Sequence, residues 1–346
     1  MRRVSCRNVF VAAILASFAM PHDALADEKG ISFWIPGFMG SLAATPQQPG
    51  WSLATIYYHT SVKAGADLAF AYQVARGRIT TNFTGNLSAN LNADADLGFA
   101  IPTYVFSTPV LGGQAAVALI VPGGRNQVSV DATLTGAVGP IGFTRSAGRT
   151  DTVTGFADII PQASLRWNFG VHNVMTYLTG NIPVGAYDAQ RLANLGLGHV
   201  AIDWGAGYTY FNPQSGREFS AVGGFTYNFE NTTTNYQSGV NFHLDMAASQ
   251  FLSPQIHVGA VAYAYQQLTD DSGANALLGG FKSRVFGVGP QIGYIFPVGD
   301  KQGYLNLKGF KEFGAENRPE GWNVWLTFAI SPRPPTAAPQ IARLTK

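Results

Sequence analysis

The stretch DIIPQASLRWNFG, residues 158–170, decides the fold. After its opening aspartate, the polar residues Gln162, Ser164, Arg166 and Asn168 fall at every second position. Pro161, Ala163, Leu165, Trp167 and Phe169 interleave with them. A period of two puts successive side chains on opposite faces of an extended chain and excludes a helical stripe. The segment is therefore a strand with one apolar and one polar face. A soluble sandwich would turn the apolar face inward, whereas an outer-membrane barrel turns it out to lipid and lines its lumen with the polar one.

The N-terminus favours the second arrangement. Arg2, Arg3 and Arg7 precede a short apolar run from Val9 to Phe18, and Ala24-Leu25-Ala26 supplies small residues for cleavage. Residues 1–26 read as a secretory signal peptide, too short in its apolar part to span a bilayer as a helix. The single cysteine, Cys6, leaves with it, so the mature chain is expected to hold no disulfide and no cysteine metal site.

Composition points the same way. Of 22 basic and 20 acidic residues, the leader removes Arg2, Arg3, Arg7 and Asp23, leaving 19 of each sign. A neutral chain without a basic face speaks against a nucleic-acid partner. Charged residues make up 12% of the chain, about half the usual share of a soluble domain, while glycine and aromatics are abundant. Such a chain lacks the charge to coat a water-exposed surface.

The alternation recurs along the second half. VAIDWGAGYTYF (200–211) sets Ile202, Trp204, Ala206, Tyr208 and Tyr210 against Asp203 and Thr209. VNFHLDMA (240–247) sets Val240, Phe242, Leu244 and Met246 against Asn241, His243 and Asp245. YLNLKG (304–309) opposes Leu305 and Leu307 to Asn306 and Lys308, and WNVWLTFAI (322–330) repeats the rule. Further strands are expected at 172–184, 217–229, 255–267 and 282–296. Connections then alternate between short (169–171, 212–216, 252–254, 297–302) and longer (185–198, 230–238, 268–281, 314–320), as periplasmic turns and external loops do. In the first half, strands are expected at 51–62, 66–91, 97–108, 113–121 and 127–137, with a loop at 138–154.

The expected fold is thus all-β: a transmembrane outer-membrane antiparallel β-barrel of about 14 strands, with 12 as the alternative, spanning 51–330. Residues 27–50 form an N-terminal extension or lumen plug, and 331–346 form a Pro-rich tail.

Chemistry-bearing motifs are few. There is no G-x-S-x-G elbow, no P-loop and no H-E-x-x-H pair. Catalytic, cofactor and metal residues are accordingly expected to be none. Asn241, His243 and Asp245 share a strand face with about 7 Å between alternate residues, a spacing open to acid–base or metal chemistry but also to a polar lumen wall. The lumen-lining set is Asp158, Gln162, Ser164, Arg166, Asn168, Asp203, Asn241, His243, Asp245, Asn306 and Lys308. Trp34, Trp51, Trp167, Trp204, Trp322 and Trp325 read as interface-girdle residues. Pro161 and Pro290 fall inside strands, where a missing N–H marks a bulge or a kink in the wall.

Several segments carry a family resemblance. EKGISFWIPGFMGSLAATPQQPGWSLATIYYHTSV (28–62), GFADIIPQASLRWNFGVHNVMTYLTGNIPVGAYD (155–188) and FSAVGGFTYNFENTTTNYQSGVNFHLD (219–245) resemble the transporter family named for the meta-pathway of phenol degradation. GVGPQIGYIFPVGDKQGYLNLKGFKEF (287–313) and GWNVWLTFAISP (321–332) do so too. The resemblance implies an outer-membrane channel, analogous to fatty-acid and toluene channels, for passive uptake of small hydrophobic or aromatic compounds, with no catalytic residues. Its expected partners are outer-membrane lipid, small apolar or aromatic molecules and the outer-membrane assembly machinery. The chain departs from general outer-membrane practice by ending in a tail at Lys346 rather than at a strand-terminal Phe. A general porin-like channel and a non-transporting structural or enzymatic barrel are the alternatives.

Overall fold

A computed structural model of the chain describes residues 32–65, 85–138, 141–273 and 282–334. The expected leader, the greater part of the expected 66–91 strand and the end of the Pro-rich tail lie outside them. Every regular element among the described residues is a strand. In chain order these are β1 (Gly50–Ala64), β2 (Gly85–Val105), β3 (Gln114–Val138), β4 (Ile141–Phe156), β5 (Ile160–Phe169) and β6 (His172–Gly180). Then follow β7 (Ala201–Asn212), β8 (Arg217–Asn228), β9 (Asn241–Phe251), β10 (Ile256–Gln267), β11 (Arg284–Val298), β12 (Lys301–Glu316) and β13 (Glu320–Pro332).

All pairings are antiparallel, and β13 returns to β1, so twelve strands close on themselves while β4 stays outside the ring. Closure removes the free edges that an open sheet would present. The count is the smaller of the two expected, because 113–121 and 127–137 are one strand and 85–91 continues into 97–105. The sequence Pro122-Gly123-Gly124 looks like a turn, yet here the chain runs on extended. A Cβ on Gly124 would collide with the carbonyl of Asp96, so glycine serves close strand approach rather than a reversal.

At that point β3 changes partners. Residues 114–120 pair with β5 and residues 123–138 with β4. The loop expected at 138–154 is therefore mostly strand. Thr144–Thr150 are exposed on both faces, so β4 has no apolar stripe by which to be recognised. The connection expected at 314–320 also shrinks to 317–319, because β12 and β13 run further outward.

Elsewhere the two faces separate as the alternation requires. On β13, Trp322, Leu326 and Phe328 are exposed while Asn323 and Trp325 are buried. Leu305, Leu307, Ile292, Tyr294 and Leu53 continue the outward apolar belt. Trp51 and Trp167 lie toward the short-turn end, Trp204 and Trp322 toward the long-loop end, which matches two interfacial girdles. Trp325 and Trp34 break that expectation. Both are buried inside the barrel, so hydrophobicity alone did not give their direction.

Candidate functional site: a plugged lumen, an apolar pocket and a notch in the wall

Residues 32–49 enter the ring from the short-turn end and rise through the lumen. Ala44 N donates to Thr209 Oγ1 at 3.0 Å, and Leu42 N donates to Glu218 Oε1 at 2.9 Å. Higher up, Asp245 accepts from Gly37 N (2.8 Å) and Met39 N (3.0 Å). Lys308 Nζ donates to the carbonyls of Gly37, Phe38 and Met39 at 2.6, 3.1 and 2.8 Å. One turn of the plug is thus clipped between an acid on β9 and a base on β12. Gly37 permits that turn: its φ is +86°, and a Cβ would press on the Phe310 ring. Residues 32–49, the described part of the expected extension or plug at 27–50, bond to the inner wall in this way.

Above the clip, Trp34 lies flat on His243, with ring centroids 3.8 Å apart and planes at 12°. His243 Nε2 is 3.0 Å from Asp203 Oδ2, and Tyr177 Oη donates to Asp203 Oδ1 at 2.9 Å. Thr226 Oγ1 donates to the other oxygen at 2.5 Å. The partner of His243 is therefore Asp203 across the sheet, not its strand neighbour Asp245, which serves the plug. Tyr177, Thr226, Glu218 and Trp34 were missed from sequence. The first three sat in alternating strands as ordinary polar positions, and only the cross-strand register brings them together.

The remaining expected residues scatter. Ser164 is buried and accepts from Arg166 Nη1 at 2.8 Å; Gln162 is half-buried. Asn168 is exposed near the turn, donating to Gly170 O and Asn173 Oδ1. Asn241 is buried at the outer end of β9, and Asn306 donates to Ile292 O at 3.1 Å. Asp158 does not sit on a strand face at all. It occupies the break between β4 and β5, where its carboxylate accepts from Asn181 Nδ2, Gly185 N and Leu197 N at 2.7, 2.9 and 3.0 Å. No group of three or more His, Cys, Asp or Glu among the described residues is placed to hold a metal ion.

That break leaves a notch in the strand pairing of the wall. β5 pairs with β6 only from Gln162 onward, and above the isolated Ile159–Ile182 bridge β4 has no strand on its second side. Residues 181–200 fill the gap as a loop. Ala186 N donates to Phe156 O, while Leu192, Ala193 and Leu195 pack inward on Leu91, Val128 and Val153. Asp151 of β4, beyond the closed ring, anchors the loop tip. Burial alone would raise its carboxyl, but hydrogen bonds from Arg191 and from the Ala193 and Leu192 amides bring it below the ordinary carboxylate range. Outside, Phe156, Ile182 and Val184 are exposed and give the notch an apolar rim. Pro161 is the second residue of β5 rather than mid-strand, facing outward opposite Leu119. Pro290 lies where the β11–β12 ladder skips from Val288 to Gln291, yet β11 is unbroken.

Inside the notch lies a cavity of about 220 Å³. Plug residues Phe33, Ile35 and Pro36 form its floor; Leu91, Leu97 and Phe99 of β2 form one wall, and Ala157, Leu195 and Leu197 lie toward the notch. Asp94, Asp158, Glu312, Arg318 and several asparagines also reach it, but most of its exposed lining is apolar. An apolar chamber with a set of polar groups is the make-up of a small-molecule site.

A closed antiparallel ring, an outward apolar belt and a plugged lumen define a transmembrane outer-membrane β-barrel. Residues 76–328 match the family described as putative MetA-pathway of phenol degradation, and the chain belongs to that family. Among solved structures it is similar to an outer membrane channel from Pseudomonas putida F1, at 13% identity and a TM-score of 0.60 over 86% of this chain and 99% of that one. A FadL homologue from Pseudomonas aeruginosa aligns at 10% identity and a TM-score of 0.41 over 90% of this chain and 98% of that one. The first likeness concerns the fold. No curated protein matches the chain.

Proposed function

We propose that this barrel is a non-enzymatic channel for passive uptake of small hydrophobic or aromatic compounds of the phenol type. It would reach the membrane through the outer-membrane assembly machinery. The observation that carries the reading is the apolar cavity seated between a lumen plug and the notch. A cavity of about 150 Å³ lined by apolar groups is enough to take up benzene, so the space here suits a one-ring molecule. The plug obstructs the straight aqueous path that a general porin needs. A molecule in the pocket meets Ala157, Leu195 and Leu197 on its way to the Phe156–Ile182–Val184 rim, a route that leads into lipid. Apolar solutes leave water for lipid favourably, so sideways release spares them the aqueous periplasm. Pro161, without an N–H, adds no ladder bond to β6 beside the Ile159–Ile182 bridge, so the lower edge of that route rests on the bridge.

Two measurements test this, one on proteoliposomes and one on cells. Proteoliposomes carrying the protein should swell no faster in sugars than empty ones. Cells with an intact outer leaflet should take up labelled toluene and phenol several-fold faster when they express it. Leu97→Trp, which fills the pocket, and Pro161→Val, which can restore a ladder bond, should each lower that uptake at equal barrel yield. Rapid sugar swelling with no gain in toluene uptake would overturn the proposal in favour of a general pore.

A further inference from the structure

One charged group on the pocket has unfinished bonding. Arg318 sits in the tight β12–β13 turn between Asn317, held at φ +53°, and Pro319. The following proline restricts Arg318 to an extended backbone, and Asn317 Nδ2 donates to Lys282 O at 3.1 Å. The side chain is thereby placed in advance. Its guanidinium carbon lies 4.7 Å over the Tyr265 ring, and it lines the cavity. Its Nε and Nη1 are buried with no hydrogen-bond partner among the described residues.

The carboxylates on the same cavity do not complete it. Asp158 is committed to Asn181 and two loop amides. Glu312 accepts from Tyr263 Oη and Gly321 N, both at 2.7 Å. Asp94 is exposed. Among the described residues no acid forms an ion pair with Arg318. A permanently charged, planar donor set beside an apolar chamber recognises a ligand that is greasy at one end and anionic at the other.

We propose that Arg318 is the head-group site of this pocket, and that the preferred ligand is a one-ring aromatic bearing a single carboxylate. The carboxylate meets the guanidinium at the outer turn, and the ring descends against Leu97 and Phe99. This deepens the uptake reading and rests on it, since it assigns a substrate class to the same chamber. It also gives the turn a purpose that strand closure alone does not require, because a β-hairpin needs no arginine at that place.

The test compares benzoate with benzyl alcohol, which has nearly the same shape without the charge, using the full-length protein in detergent and isothermal titration calorimetry. The wild type should bind benzoate about tenfold or more tightly than benzyl alcohol, the scale of one charge-assisted hydrogen-bonding contact. Arg318→Met should bring the two affinities together by weakening benzoate alone, and Arg318→Lys should restore part of the difference. Equal affinities in the wild type overturn the assignment without need of a variant. So does a benzoate preference that survives Arg318→Met. If benzyl alcohol binds while benzoate does not, Arg318 is not a head-group site but the apolar uptake reading stands. If neither binds, both fail.

Discussion

The indole of Trp34 is stacked 3.8 Å from the imidazole of His243, so an aromatic of the plug rests on a histidine of the barrel wall. His243 is fully buried and held in turn by Asp203 and Tyr177. The wall's polar network is thus a seat for the plug. Phe38 adds a second contact, its ring 6.0 Å from Trp325 and 6.3 Å from Phe99. Together with the clip at residues 37–39, these contacts make the N-terminal segment a fixed part of the lumen.

The clip should control ion flow. Lys308→Met removes the donor to the carbonyls of Gly37, Phe38 and Met39 and the positive charge across the turn from Asp245, so it should lower folding yield. In planar bilayers the variant should conduct ions several-fold better than the wild type as the plug loosens. Lys308→Met with Asp245→Asn should recover folding yield and still conduct. Wild-type conductance in both would mean that residues 33–46 hold the lumen closed by packing alone.

The assignment of faces predicts a contrast on one strand. Leu326 points to lipid and Thr327 to the interior. Leu326→Arg should destabilise folding into bilayers by about 2–4 kcal/mol if it sits near the midplane, measured by urea titration in lipid vesicles. Thr327→Arg should cost less and alter conductance instead. The reverse ranking would invert inside and outside.

Asp151 links the loop over the notch to pH. Its carboxyl is depressed in the folded chain, so its contribution is present above the ordinary carboxylate value, about 3.9, and is lost as pH falls through the lower folded value. Hydrogen-exchange protection of the Leu192 and Ala193 amides, corrected for intrinsic rate, should hold from pH 7 to about that value and then collapse. In Asp151→Asn it should be low at pH 7 already and vary little with pH. Protection in the variant equal to the wild type would show that the packing of Leu192 and Ala193 suffices.

Much of the barrel was legible because lipid and lumen impose opposite demands on alternate residues. From residue 158 onward each expected strand has its counterpart, within a few residues, in β5 to β13. Where that demand lapses, legibility does too. β4 stands beyond the closed ring, is exposed on both faces over Thr144–Thr150 and reads as a loop. Pro122-Gly123-Gly124 carries a turn signature although it marks a change of partner. The site was legible only in part. His243, Asp245, Asp203 and Lys308 could be placed on polar faces, but alternation is silent about which residue faces which across the sheet. Trp34 and Arg318 lay in segments without periodicity, where only tertiary contact gives them a role.

On the proposed function, apolar molecules leave the pocket sideways through the notch. Ile159 and Ile182 form the isolated bridge at its lower edge, with Ile182 N donating to Ile159 O at 2.8 Å. Facing residues of an antiparallel pair stand about 4.5–5.5 Å apart at Cα, within the reach of a disulfide. Cys6, the single cysteine of the sequence, would leave with the expected leader, and a Cys6→Ser background removes it in any case. The decisive measurement is labelled-toluene uptake by cells expressing the Ile159→Cys/Ile182→Cys variant, oxidised and then reduced. Sideways release predicts that uptake falls severalfold when the staple is closed and returns on reduction, with barrel yield and sugar exclusion unchanged. Wild-type uptake with the disulfide fully formed would contradict it and place the exit along the barrel axis.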